Sequence, residues 1–341
     1  LPLFSSLSGP VREKEMALYR TLATQEEIDA QYDVERAVPD FRPYADFFIG
    51  RSALARESLP CALDVRFGPT RDEYVDIFPA RQAGAPVLVF IHGGYWRMLS
   101  AKEFSLVALG LAPHNVTVVV TNYTLCPKVT IDEITRQSRA VIAWLARKAG
   151  LYNGDPSRIH VAGHSAGGQQ VGMLLATDWE GEYGLPADII KGAVAISGLF
   201  DLSPFPYSWI QPKLLLTHET IRRQSPLFHV GTSPTPLFVT LGGDESTEFH
   251  RQSLDYLAAW KAVGNRGSMF DQPGRNHFTA IYDYADPAAA LTRTTLDLMR
   301  IDLAERQTDA KPAPTKPGPA SDSVPTYGQS LPRLSFERDA P

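Results

Sequence analysis

The sequence predicts an α/β fold: a mostly parallel central sheet with helices on both faces and an antiparallel hairpin at its N-terminal edge. Three observations predict it. Short, continuous apolar runs recur along the chain, as strands buried on both faces require. Segments of helical periodicity lie between them. Ahead of both stand two segments that alternate apolar and polar residues around a turn cluster.

The hairpin is formed by Leu63-Asp64-Val65-Arg66-Phe67 and Tyr74-Val75-Asp76-Ile77-Phe78, joined through Gly68-Pro69-Thr70-Arg71-Asp72. Their period of two marks half-buried strands. The buried runs are Val87–Ile91, Val116–Val120, Ile159–Ala162, Ala193–Ile196 and Leu237–Leu241. Thr130-Ile131-Asp132-Glu133 reads as a capping box. Behind it, Ile134, Ser138, Val141, Ile142, Leu145 and Ala149 fall on one helical face. Phe249, Ser253, Tyr256, Leu257 and Trp260 do the same between Glu248 and Val263. Asp286-Pro287 pairs an N-cap with proline at the first helical position, which opens a last helix. Strands alternating with helices imply right-handed βαβ crossovers.

Three regions follow. Residues 1–56 are polar and mixed, an extension that packs on the domain with a short helix over Thr24–Tyr32. Residues 57–306 hold the α/β catalytic domain. Residues 307–341 contain seven prolines in 35 positions and no periodicity, a composition that predicts a disordered tail.

The chain of 341 residues is 44% apolar with a net charge of −5, so it lacks the basic footprint of a nucleic-acid binder. No apolar run reaches 18 residues, which excludes a transmembrane helix and a membrane partner. The first ten residues do not read as a signal peptide. Cys61 and Cys126 fall in no redox or metal-ligand spacing and are expected as free thiols of a cytoplasmic protein.

The chemistry begins at Gly163-His164-Ser165-Ala166-Gly167-Gly168. This GxSxG follows an apolar strand and precedes a helical pattern through Val171, Met173, Leu174 and Leu175, the setting of a nucleophile elbow in the α/β-hydrolase fold. Ser165 is therefore the candidate nucleophile. A serine hydroxyl needs a general base held by a carboxylate, and this fold orders them serine, acid, histidine. Gly242-Gly243-Asp244-Glu245 follows the strand Leu237–Leu241, which makes Asp244 the expected acid, with Glu245 its neighbouring competitor. Only His250 and His277 come later, and His250 falls inside a helix, so His277 is the expected base. The earlier histidines read as solvated or structural, and their spacing suggests no metal site. His92-Gly93-Gly94-Tyr95-Trp96 follows Val87–Ile91, where the fold places a second oxyanion donor. The N–H groups of Gly93, Gly94 and Ala166 are the expected oxyanion hole.

These three segments, with Ser246, Glu248 and Phe249, resemble the kynurenine formamidase (arylformamidase) family, whose HGGxW form separates it from esterases carrying HGGG. The likeness spans roughly Gln25 to Leu303. It implies hydrolysis of N-formylkynurenine to formate and kynurenine in tryptophan breakdown, without a cofactor, with Ser165, Asp244 and His277 in the triad positions. Phe200, Phe205, Tyr207 and Trp209 lie in an aromatic, proline-rich stretch that does not match the family pattern; with Tyr95 and Trp96 they could line an aryl pocket or pack on their own core. The expected partner is a small aromatic amide or ester. A carboxylesterase on the same nucleophile, or a catalytically silent scaffold, is the competing reading.

Overall fold

The computed structural model describes residues 17–299. One sheet of eight strands organises them: β1 (Ala62–Arg66), β2 (Tyr74–Phe78), β3 (Ala85–Ile91), β4 (Thr117–Thr121), β5 (Gly154–His164), β6 (Ile190–Ile196), β7 (Leu237–Gly242) and β8 (Gly267–Gln272). Their spatial order is β1-β2-β4-β3-β5-β6-β7-β8. The pairs β1/β2 and β2/β4 are antiparallel, and every pair from β4/β3 to β7/β8 is parallel. The mostly parallel sheet with its N-terminal hairpin is thus as the sequence predicts.

Among the described residues, ten α-helices connect and cover it: α1 (Gln25–Tyr32), α2 (Arg42–Ser58), α3 (Val107–Leu111), α4 (Ile131–Lys148), α5 (Ala166–Leu175), α6 (Trp179–Tyr183), α7 (Gln211–Leu214), α8 (His218–Gln224), α9 (Thr247–Ala262) and α10 (Ala290–Leu298). Successive strand residues point to opposite faces, and each face builds its own core. Val87, Val89 and Ile91 of β3 pack with Ile134, Val171 and Phe249 of α4, α5 and α9. Leu88 and Phe90 pack instead with Leu111 and Leu291 of α3 and α10. Both faces are apolar, so β3 and β4 are buried along their whole lengths.

Local signals hold in places and yield in others. Thr24 caps α1 in a complete capping box with Glu27. Thr130 precedes α4 but makes no side-chain cap: the Glu133 amide donates to the Thr130 backbone carbonyl instead, and the Glu133 carboxylate bonds Arg136 and Gln137 rather than closing a capping box. The last helix starts at Ala290 rather than at Pro287; Asp286 turns its carboxylate to the Ala288 amide and closes a tight turn there. The 17-residue α2 carries no clear sequence stripe, since only Ser52 and Ala55 of it are buried. The expected tail over 307–341 lies outside the described residues.

Candidate active site

Three loops leave the C-terminal ends of β3, β5 and β7 and meet a fourth after β8. The central one is the elbow. Ser165 joins β5 to α5 with φ 57° and ψ −118°, a conformation that costs an L-residue about 1–3 kcal/mol and persists only where its surroundings impose it. Close backbone packing imposes it here. A Cβ on Gly163 would stand 2.2 Å from the Gly167 carbonyl oxygen, and one on Gly167 would stand 2.0 Å from that of Ile91. The Ser165 amide donates to Ile196 O at 2.8 Å, which ties the turn to β6. Ala166 opens α5, and a first-turn amide has no acceptor within its own helix.

The loop after β3 lies against this turn. A Cβ on Gly93 would come within 3.1 Å of Ser165 Cβ. Gly94 has φ 105°, and Tyr95 and Trp96 follow at 51° and 58°, three left-handed residues in succession. The Gly94 carbonyl accepts from both Arg97 N–H and Met98 N–H. Tyr123 Oη donates to His92 O at 3.0 Å, and its ring stacks on the His92 imidazole at 4.1 Å. Burial pushes His92 down to about 4, so it is a neutral structural ring.

His277 sits in the loop after β8. Its Nδ1 lies 2.7 Å from Glu245 Oε2, and both side chains are almost wholly buried. The other Glu245 oxygen accepts from the Gly242 amide and the Ser197 hydroxyl, each at 2.6 Å. The carboxylate facing His277 is therefore Glu245, not Asp244. The turn closed by Glu245 N–H to Gly242 O folds Glu245 back over the strand end, while Asp244 is exposed and bonds Arg275 O through its amide. With Nδ1–H donating to Glu245, Nε2 is the ring nitrogen left to accept a proton.

His164, next to the serine, is bound to the base loop: its Nε2 lies 2.9 Å from His277 O. A carbonyl only accepts, so that nitrogen carries the proton. Burial, aided by the neighbouring His277, holds His164 well below the usual histidine range. The two rings are 4.7 Å apart, and Phe249 covers His277 from 4.6 Å.

Of the two roles the sequence leaves open for the aromatic residues, core packing is what most of them take. Trp96, Phe200 and Phe205 are wholly buried and Tyr95 nearly so. Trp96 Nε1 donates to Gln169 Oε1 at 3.0 Å, and Phe200 stacks on Tyr256 at 4.2 Å. Their rings pack best against one another, which excludes them from contact with a ligand in this state. Tyr207 is exposed, and Trp209 is half-buried with the Arg97 guanidinium 4.9 Å above it. Sequence reasoning missed Ser197, which meets Glu245 across 48 positions and has no motif of its own. Among the described residues, no group of three or more His, Cys, Asp or Glu side chains could hold a metal ion, and no helix is long and apolar enough to cross a membrane.

Comparisons with known proteins fit this geometry. A family model described as alpha/beta hydrolase fold matches residues 88–224. A kynurenine formamidase from Salmo salar is 30% identical over 72% of this chain and 84% of its own length. One from Danio rerio is 27% identical over 81% of this chain and 97% of its own. Among solved structures, a candidate thioesterase from Silicibacter superposes with a TM-score of 0.69 at 27% identity, covering 78% of this chain and 98% of its own. A thermostable carboxylesterase from a metagenomic library shares the fold, with a TM-score of 0.58 at 22% identity over 80% of this chain and 98% of its own.

Proposed function

The chain belongs to the kynurenine formamidase family of α/β hydrolases, and from that premise we propose that it is a serine hydrolase cleaving an aryl formamide of the N-formylkynurenine kind. At the coarser level it is a hydrolase of the amidase/esterase type, acting on formamide or ester substrates. The observation that carries the serine mechanism is the buried Glu245–His277 pair, whose loop is bonded through His277 O to His164 beside the strained Ser165; the formamidase relatives support the formamide substrate.

The steps follow from those groups. Ser165 Oγ attacks the formyl carbon as His277 Nε2 takes the hydroxyl proton. The carbonyl π-bond opens to an oxyanion, which the amides of Gly93, Gly94 and Ala166 would stabilise. As the C–N bond breaks, His277 returns the proton to the departing aryl nitrogen, leaving a formyl ester on Ser165. Water then attacks that ester by the same base and releases formate. Glu245 keeps the imidazole in the required tautomer and offsets its positive charge.

An ester shares every step except protonation of nitrogen, and the carboxylesterase and thioesterase neighbours favour keeping that second reading. Comparing kcat/KM on N-formyl-L-kynurenine and p-nitrophenyl acetate, for wild type and Ser165→Ala, tests both. Preference for the formamide, lost in the variant, is the expected outcome. Turnover of the ester alone would leave the serine mechanism and remove the formamide; undiminished turnover in Ser165→Ala would remove the serine. The two free cysteines, Cys61 and Cys126, support a reducing, cytoplasmic setting.

A further inference from the structure

The oxyanion loop carries a conformational cost that its own residues do not remove. Tyr95 and Trp96 both have left-handed backbones, unfavourable for any residue with a Cβ, so the loop keeps its shape only while something holds it. Trp96 is held from within the domain by Gln169 of α5. Tyr95 is held by the N-terminal segment: its hydroxyl donates to the carbonyl of Tyr32, the last residue of α1.

The segment ending at Tyr32 is itself anchored at two other loops of the site. Tyr32 Oη donates to Glu248 Oε2 and accepts from Gln252 Nε2, each at 2.8 Å. Gln31 O accepts from the Ser246 hydroxyl at 2.6 Å, and Gln31 Oε1 from Thr247 Oγ1 at 2.8 Å. These partners directly follow Glu245. Asp29 accepts from the Trp209 amide at 2.8 Å, and Tyr19 Oη donates to Asp201 Oδ2 at 2.6 Å, both in the loop after β6. Fourteen residues thus bridge the loops that follow β3, β6 and β7.

We propose that residues 19–32 act as a strap that holds the oxyanion loop in register with the Glu245 loop, with Tyr95 and Tyr32 as positioning residues that never touch the substrate. The proposal rests on the serine-hydrolase reading and deepens it. Tyr95 follows Gly94 directly, so the direction of the Gly94 amide depends on where Tyr95 is tied. An amide swung off the oxyanion loses stabilisation that exists in the transition state and not in the bound substrate.

The test uses Tyr95→Phe and Tyr32→Phe in the full chain, with phenylboronic acid as a probe that adds to Ser165 and places a tetrahedral oxygen in the hole. Tyr95→Phe is expected to lower kcat by about 10- to 100-fold at nearly constant KM. Its affinity for the boronate should fall by the same factor while the titrated number of sites stays at the wild-type value. Tyr32→Phe should follow in the same direction and keeps the test open if Tyr95→Phe does not fold. Unchanged kcat and boronate affinity in both variants would overturn the strap, as would a loss accounted for wholly by fewer titratable sites. A wild-type enzyme that neither binds the boronate nor turns over either substrate would instead overturn the serine reading, so the two failures are told apart.

Discussion

Glu245 and His277 lie 32 positions apart and meet at 2.7 Å, with the second oxygen of the carboxylate occupied by the Gly242 amide and the Ser197 hydroxyl. Three protein groups thus converge on this carboxylate and hold its orientation.

Glu245→Gln should therefore lower kcat by about 10³- to 10⁴-fold, since an amide can hold the imidazole in the wrong tautomer. Asp244→Asn, on the exposed outer side of the turn, should change kcat by less than about twofold. Steady-state kinetics on the two variants decide the assignment; the opposite ranking would return the role to Asp244.

Ser197→Ala removes one charge-assisted bond and leaves two. Such a bond contributes about 1.5–3 kcal/mol, so both the melting temperature and kcat should fall, the latter about tenfold with KM little changed. Thermal melts and initial rates on the variant check this. A rate equal to wild type would mean that the Gly242 amide alone orients Glu245.

Acid should destabilise the fold through three buried histidines. Burial lowers His92 and His160 to about 4, and holds His164 well below its usual value. A depressed histidine binds its proton more readily in the unfolded chain, whose value is about 6.5. Stability is thus complete above that value and declines as pH falls toward 4, by about 1–2 kcal/mol for each of His92 and His160 at pH 5. Melting temperatures at pH 7 and pH 5 measure the loss, and His160→Gln should reduce it. A melting temperature independent of pH across that interval would refute the account.

Elements whose cause is local or periodic could be read from the residues alone. The parallel strands β3 to β7 were legible because their apolar runs are buried on both faces, whereas the half-exposed β8 left no such run; the elbow was legible because only glycine fits beside Ile91 and Gly167. The stripe from Ile134 to Ala149 was legible because one face of α4 meets the sheet. The long helix α2 was not, because it buries too little of its surface to leave a stripe. Tertiary structure alone decided between Asp244 and Glu245: adjacent carboxylates are equivalent in a motif, and the turn after β7 selects which one faces His277. It also decided that Trp96, Phe200 and Phe205 are core, since an aromatic side chain satisfies a pocket or a packed interior equally well until its neighbours are known. Ser197 and Tyr32 join the site through contacts across 48 and 63 positions, and no local pattern encodes a partner at such a distance.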